Sequence, residues 1–271
     1  MTPDAEAIRV FEHAGWERAA NTYEGTFATA TRPFIPGLLD AGIVGAGTPV
    51  LDVACGPGFV AAAAADRGAV ARGLDFSAAM LGVARALHPG IVFEQGDAEA
   101  LPYPDGSFTS VVSNFGIHHV PRPILALRQA HRVLRSDGTL AFTIWAAPAE
   151  NVAWKLVFDA IRRCGDMAAS QAPVPGGGFG TPDDCAAALG QAGFSGIGTR
   201  KLTGVWRQTD GRALLAALRS GTARMAALIE AQAVDAMSAI IADIDRAAEA
   251  YRDGDALAIP LAAFVASGRK A

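Results

Sequence analysis

With 271 residues, 51% of them hydrophobic, the chain has ample material for a buried core, as one large domain or two small ones, and is not disordered. A net charge of −4 argues against a surface that tracks nucleic-acid phosphates and makes a small molecule the better default partner. The three cysteines, Cys55, Cys164 and Cys185, are odd in number, widely spaced and without a C-x-x-C pair, so reduced thiols, no metal and a cytoplasmic setting are expected. Nor is a secretory signal or a membrane segment expected. The acidic start lacks a basic stretch ahead of an apolar run, and the apolar run Val60 to Ala65 is too short to cross a bilayer.

From Ile8 to about Ala30 the pattern is helical, with Ile8, Phe11, Ala14 and Ala19 on one face and Trp16 and Tyr23 set into a polar background. A second helix is expected from Phe34 to Leu39, after Pro33 and closing near Gly42. These segments, within residues 1–45, read as a helical cover laid over the mouth of the strand-and-helix region. Residues 46–146 alternate strand and helix. Strand one is Pro49 to Val53, with a helix from Gly58 to about Arg67. Strand two is Val70 to Leu74, ending on Asp75, with Ser77 as N-cap of a helix that stops before Pro89-Gly90. Strand three is Ile91 to Glu94 and strand four Phe108 to Ser113. After Pro121 a helix carries Ile124, Leu127, Ala130 and Leu134, and Ser136-Asp137-Gly138 turns the chain into strand five, Thr139 to Trp145.

Residues 147–271 continue the sheet with insertions. A helix spans Asn151 to Arg162, a glycine-rich and mobile loop spans Pro173 to Gly180, and Thr181 caps a helix with Pro182 at its first position. Strand six lies near Gly196 to Val205, and an alanine-rich helical block, about 209–251, precedes a last strand from Ala256 to Gly268. The block is thus an insertion in a single domain, 1–271.

The stretch Val50 to Gly58 reads as a buried strand breaking into a tight turn. Gly56 and Gly58 permit backbone torsions and a close approach that a Cβ forbids, and the helix after them offers unpaired N–H groups. Asp75, at the end of strand two, is placed to accept from ribose hydroxyls, which makes a nucleoside site. Gly56 to Ala61 even satisfies G-x-G-x-x-A, so a nicotinamide- or flavin-dependent oxidoreductase has to be weighed, although a lone fingerprint is weak.

Four further stretches bear on that choice: Asp52 inside the strand end, Gly96-Asp97-Ala98-Glu99-Ala100-Leu101-Pro102 after strand three, Asn114-Phe115-Gly116-Ile117-His118-His119-Val120 after strand four, and Leu134 to Leu140 leading into strand five. With them the chain resembles a class I S-adenosylmethionine-dependent methyltransferase of the branch that includes the ubiquinone and menaquinone biosynthesis enzymes, strongly from Pro49 to Trp145 and more weakly outside. Asp137-Gly138 stands where that family usually has Gly-Gly, and Gly56-Pro57-Gly58-Phe59-Val60 where it often has Gly-x-Gly-x-Gly.

The resemblance implies a Rossmann-like, three-layer α/β/α fold with a seven-stranded, mostly parallel sheet whose last strand is antiparallel. It implies methyl transfer from S-adenosyl-L-methionine to a small-molecule acceptor, with S-adenosyl-L-homocysteine released. Asp52, Ala54, Gly56 and Gly58 then line the methionine and ribose part of the donor, Asp75 takes the ribose hydroxyls, and Phe76 and Met80 flank the adenine. Asp97 accepts from the adenine amino group, Ala98 contacts the ring through its backbone, and Ser113 and Asn114 border the amino-acid moiety. Cys55, as a small apolar filler, Ser77 and Gly96 complete the cofactor set.

Because the methyl group is already activated, alignment and water exclusion suffice for much of the rate. A hydroxyl acceptor gains from a base, and His118 and His119 are the nearest candidates, against a purely structural or metal-pair reading. Tyr23, Phe115, Trp145 and Trp206 are candidate walls of an aromatic acceptor pocket, though isolated aromatics are more often core. Glu99 reads as solvated or capping, and Arg200, Lys201, Arg207, Arg212, Arg219 and Arg224 as solvated charges that only weakly suggest an anionic acceptor. A non-catalytic S-adenosylmethionine binder, a cyclising enzyme and the oxidoreductase stay open, as do the methylated atom and the oligomeric state, a homodimer included.

Overall fold

In chain order the N-terminal segment folds as helices α1 (Ala5–Tyr23), α2 (Ala28–Thr31) and α3 (Ile35–Ala41). The alternating region comes next with β1 (Pro49–Val53), α4 (Phe59–Asp66), β2 (Val70–Asp75), α5 (Ala78–Leu87), β3 (Val92–Gln95), β4 (Phe108–Asn114), α6 (Pro123–Val133) and β5 (Leu134–Trp145). Beyond it lie α7 (Val152–Cys164), α8 (Pro182–Gln191), β6 (Ser195–Gln208), α9 (Gly211–Gly221), α10 (Arg224–Glu230), α11 (Val234–Ala248), the two-residue β7 (Arg252–Asp253) and β8 (Ala256–Arg269). This computed structural model describes residues 4–170, 172–173 and 179–271. Most of the expected Pro173–Gly180 loop lies outside the described residues.

The sheet has the order β3-β2-β1-β4-β5-β8-β6, with β7 paired to β8. Strands β1 to β5 pair in parallel, and β8 runs antiparallel between β5 and β6. The fold is therefore the Rossmann-like, mostly parallel sheet that the sequence implies, with β7 added as an eighth strand. Its central strands are continuous aliphatic runs because helices cover both faces. Val50, Val112, Ala141 and Val265 pack toward α3 and α4, whereas their chain neighbours Leu51, Val111, Leu140 and Ala266 pack toward α6 and α8. β6 is the opposite case, a largely exposed edge strand studded with Arg200, Lys201 and Arg207, charges that discourage pairing with another sheet.

Two boundaries and the buried face of one helix differ from the sequence reading. α1 stops at Tyr23 instead of running to about Ala30, because Gly25 weakens the helix, the Thr26 hydroxyl caps the Thr22 carbonyl at 2.7 Å, and Phe27 turns into an aromatic cluster with Trp145, Trp154 and Trp206. The buried stripe of α1 is Ile8, Glu12, Gly15 and Ala19, not Phe11 and Ala14. The stripe is rotated because Gly15 abuts Ala223, where a Cβ would sit 2.5 Å from the Ala223 Cβ, and because the Glu12 carboxylate finds partners inside. β5 begins at Leu134, which pairs with Phe108, and the Ser136-Asp137-Gly138 turn is an irregularity within the strand, with Asp137 at φ 63°.

The helix after the loop starts as the sequence suggests. Thr181 accepts from the Asp184 amide at 3.2 Å and Asp184 accepts in return from the Thr181 amide at 3.0 Å, a capping box with Pro182 at the first helical position. Thr181→Ala is expected to cost about 1 kcal/mol, read as a lower urea midpoint at unchanged m-value. Among the described residues no single helix is long and apolar enough to cross a membrane.

Candidate functional site

The carboxyl ends of β1, β2, β3 and β4 converge on one cleft of about 970 Å³, its mouth included, within the range usual for small-molecule sites. Two of these ends are held in backbone conformations that side chains disfavour. Ala54 after β1 has φ 55° and Phe115 after β4 has φ 57°, and both line the cleft. Left-handed non-glycine residues cost on the order of 1–3 kcal/mol each and persist where the surroundings over-determine them, often at functional sites. Gly116 permits the close approach of the two strand ends, since a Cβ there would lie 2.6 Å from the Ala54 Cβ and 2.7 Å from the Ser113 hydroxyl.

The first wall comes from β1 and its turn, with Asp52, Ala54, Cys55 and Gly56. Asp52 is buried; one oxygen accepts from the Ala61 amide at 3.1 Å, and the other has no partner among the described residues. Burial pushes its carboxyl well above the usual aspartate range, an effect the Ala61 amide only partly offsets. The Cys55 thiol is also pushed up by burial, with Asp75 and Asp52 adding to it, so it is inert packing. Gly58 shapes the turn at φ 82° without lining the cleft.

The second wall is the end of β2. Asp75 is buried and accepts from the Gly56 amide at 2.8 Å and the Ser77 amide at 2.9 Å, so it ties the glycine turn to the start of α5. Burial raises its carboxyl to about 6, with the amides pulling the other way. Phe76 and Met80 line the cleft beside it. Ser77 stands behind, capping α5 through the Met80 amide at 3.1 Å and donating to Glu17 at 2.7 Å.

After β3 the wall continues through Gly96, Asp97 and Ala98. Asp97 accepts from the Glu99 amide at 2.9 Å, and its other oxygen is engaged by the Arg9 guanidinium. Glu99 is not solvated: it is buried and accepts from Arg9 at 2.9 Å and from Arg122 through its backbone amide and its guanidinium. After β4, Asn114 accepts from the Thr143 hydroxyl at 2.7 Å and donates to the Thr31 carbonyl at 3.3 Å, which fixes its orientation in the cleft. Ser113 is buried behind the wall with its hydroxyl unpartnered among the described residues.

Helix α1 closes the mouth. Arg9, Trp16 and Tyr23 line the cleft from this side, and Glu17 anchors the helix to Ser77 and to the Ala79 amide at 3.1 Å. Residues 9, 12, 16 and 23 fall near one face at helical spacing. Glu12 is fully buried there. One of its oxygens lies 2.9 Å from His119 Nδ1 and 3.0 Å from Trp16 Nε1, and the other 2.6 Å from Arg224. Burial pushes the Glu12 carboxyl up, but the combined pull of His119 and Arg224 leaves it below the usual glutamate range. The sequence does not mark Arg9, Glu12 or Arg224 as site residues. For Glu12 the one signal is that it shares the helical spacing of Ile8, Gly15 and Ala19; Arg224 stands on α10 among charges that read as solvated.

A second cavity, about 1,120 Å³ with its open side, adjoins the first, and Trp16 and His119 line both. Its walls are mainly aromatic, from Phe27, Trp145, Trp154 and Phe158, with His118, Thr222 and Arg224 as polar points. Of the four predicted aromatic walls, Tyr23 and Phe115 line the cleft, and Trp145, stacked on Phe115 at 3.9 Å, lines the second cavity. Trp206 lines neither. It is fully buried under Phe27 and donates to the Thr29 hydroxyl at 2.7 Å, so it belongs to the core. His118 has its Nδ1 shut away from solvent without a partner among the described residues, and burial, then His119 and Arg224, hold it well below the usual histidine range. No group of three potential metal ligands occurs among the described residues.

A family profile described as a methyltransferase domain matches residues 51–142. The demethylmenaquinone methyltransferase of Renibacterium salmoninarum is 42% identical over 38% of this chain and 43% of its own length. The malonyl-[acyl-carrier protein] O-methyltransferase of Erwinia billingiae is 31% identical over 57% of this chain and 61% of its own length. The chain thus spans about two-fifths to three-fifths of these curated relatives. Among solved structures, the YcgJ protein of Bacillus subtilis shares the fold at TM-score 0.57 and 21% identity, covering 87% of this chain and 97% of that one.

Proposed function

We propose that this chain, whose residues 51–142 form a class I methyltransferase domain of the quinone-biosynthesis-like branch, transfers a methyl group from S-adenosyl-L-methionine to a small-molecule acceptor. The observation that carries this reading is the row of three carboxylates, Asp52, Asp75 and Asp97, at the ends of three adjacent parallel strands around a turn with no Cβ at Gly56. Asp75 has lone pairs left for two ribose hydroxyls. The unpartnered oxygen of Asp52 suits the ammonium end of the donor, a cation that would stabilise its charged form. Phe76 and Met80 offer apolar surfaces for a planar base, with Gly96, Asp97 and the Ala98 backbone at its edge and Asn114 on the amino-acid side. Gly58, Ser77 and Ser113 act from behind, and Cys55 fills space.

When bound, the donor supplies an activated methyl group on a sulfonium. What remains for the protein is to align it and exclude water. Helix α1 serves the second task through Arg9, Trp16 and Tyr23, and the aromatic second cavity is the natural seat for the acceptor. The reading treats the chain as one domain working in the cytoplasm, which its free, largely buried thiols favour. A nicotinamide cofactor would use Asp75 and the glycine turn but leaves Asp52 and Asp97 without a task.

Incubation with methyl-labelled S-adenosyl-L-methionine and fractionated bacterial metabolite extract, followed by mass spectrometry, is expected to yield a labelled product and S-adenosyl-L-homocysteine. Isothermal titration is expected to show binding of S-adenosyl-L-homocysteine. Binding of NAD in its place, or a product lacking the methyl increment, would overturn the reading.

A further inference from the structure

We propose that His119 is the base that takes the proton of a hydroxyl-bearing acceptor seated in the second cavity, that Glu12 positions its ring, and that Arg224 holds Glu12 in place. The proposal rests on the methyl-transfer reading and assigns its acceptor site and proton path. His119 and Trp16 line both cavities, so His119 stands at the junction where donor and acceptor meet. Its ring is constrained on several sides: Nδ1 lies 2.9 Å from Glu12, Trp16 meets it edge-on at 5.0 Å, and His118 lies 4.3 Å away.

Glu12 is an acceptor-only group when ionised, and it is fully buried between Arg224, Trp16 and His119. A carboxylate facing Nδ1 makes that nitrogen the proton-bearing one. The lone pair then sits on Nε2, which has no protein partner among the described residues. The charged and titratable groups facing the ring are Glu12 from α1, Arg224 from α10 and His118 from the turn after β4. Glu12, paired with Arg224, is held below the usual glutamate range and so ionised, and burial holds His118 well below the usual histidine range.

In the transfer step the acceptor O–H proton passes to His119 Nε2 and the oxygen lone pair forms the new bond to the methyl carbon. The pair of the broken C–S bond returns to sulfur, and the imidazolium later gives its proton to solvent. Walls of Phe27, Trp145, Trp154 and Phe158 suit an apolar ring system carrying that hydroxyl. Glu12 comes from the same helix that walls the donor cleft, so one helix both borders the donor site and orients the base.

The test uses protein labelled with nitrogen-15 histidine and loaded with S-adenosyl-L-homocysteine at pH 8.5. Long-range proton–nitrogen correlation is expected to show His119, assigned by its loss in His119→Gln, with the proton on Nδ1. In Glu12→Gln the proton is expected to shift toward Nε2, and Glu12→Asp to retain the wild-type form in part. Circular dichroism verifies that each variant folds. A wild-type ring protonated on Nε2 or on both nitrogens, or a spectrum that Glu12→Gln leaves unmoved, would overturn the proposal.

With the extract fraction that yields labelled product, His119→Gln is expected to lower kcat by roughly 10²–10⁴-fold. Glu12→Gln is expected to lower kcat more than it raises KM and to displace the pH profile, with Glu12→Asp recovering part of the rate. Wild-type turnover in His119→Gln also sinks the proposal. Should no fraction be labelled, the methyl-transfer reading fails instead, and the tautomer measurement still decides whether Glu12 orients the ring.

Discussion

Asp75→Ala is expected to weaken binding of S-adenosyl-L-homocysteine by about 1.5–3 kcal/mol, a rise in Kd of roughly 10- to 150-fold. Part of the loss comes from the turn itself, because the Gly56 and Ser77 amides lose their shared acceptor. The pH dependence separates that structural role from direct contact. Burial raises Asp75 to about 6 in the ligand-free protein, and ribose hydroxyls donate best to the ionised form. Wild-type affinity should therefore fall as pH drops through about 6, by roughly tenfold per unit at its steepest.

Stability runs the other way. A folded carboxyl raised from the ordinary aspartate value of 3.8 to about 6 contributes stability that is fully present below about 4 and lost as pH rises through about 6. On acidification this group alone should add about 3 kcal/mol to the ligand-free fold. Titration calorimetry and urea denaturation between pH 4 and 8 check the two opposite slopes, both of which Asp75→Ala should reduce, the remainder coming from buried Asp52. A wild-type Kd that stays flat across pH 5–7 would remove Asp75 from the ribose role.

Asp75 was legible in the sequence because its position depends only on local rules: the short run Val70 to Leu74 leads into it, and Ser77 caps the next helix two residues later. The same holds for Asp52, Asp97 and the Thr181 capping box, each set by the end of a strand or the start of a helix. Strand alternation was legible too, since parallel strands buried on both faces leave long aliphatic runs. Glu12, Glu99 and Arg224 were not. Charged side chains on helices and loops are usually solvated, and nothing local distinguishes one that is buried because partners distant in sequence, Glu12 with His119 and Arg224 or Glu99 with Arg9 and Arg122, converge on it. Trp206 fails for the complementary reason. Its pattern is that of an exposed edge strand, and only the packing of Phe27 and the Thr29 hydroxyl over it makes it core.

The two glycines of the β1 turn look equivalent in sequence, yet their substitution should have different consequences. Gly58→Ala is expected to destabilise the fold by about 2–5 kcal/mol, combining the left-handed penalty at φ 82° with overpacking. A Cβ there would lie 2.5 Å and 2.7 Å from two atoms of the Phe93 ring and 3.2 Å from His88. Phe93 is itself buried against Cys55, Leu81 and Ala84, so the ring has little room to retreat. Gly56→Ala carries the left-handed penalty alone, about 1–2 kcal/mol, because its Cβ would meet only the Met80 sulfur at 3.9 Å. That open space belongs to the cleft, so the added methyl group should appear as weaker binding of S-adenosyl-L-homocysteine. Thermal denaturation and titration calorimetry on both variants separate the two effects: Gly58→Ala should show the larger loss of Tm and Gly56→Ala the larger rise in Kd. If Gly58→Ala kept its Tm and lost affinity instead, Gly58 would serve the ligand directly, and the division of the turn into a packing glycine and a binding glycine would be wrong.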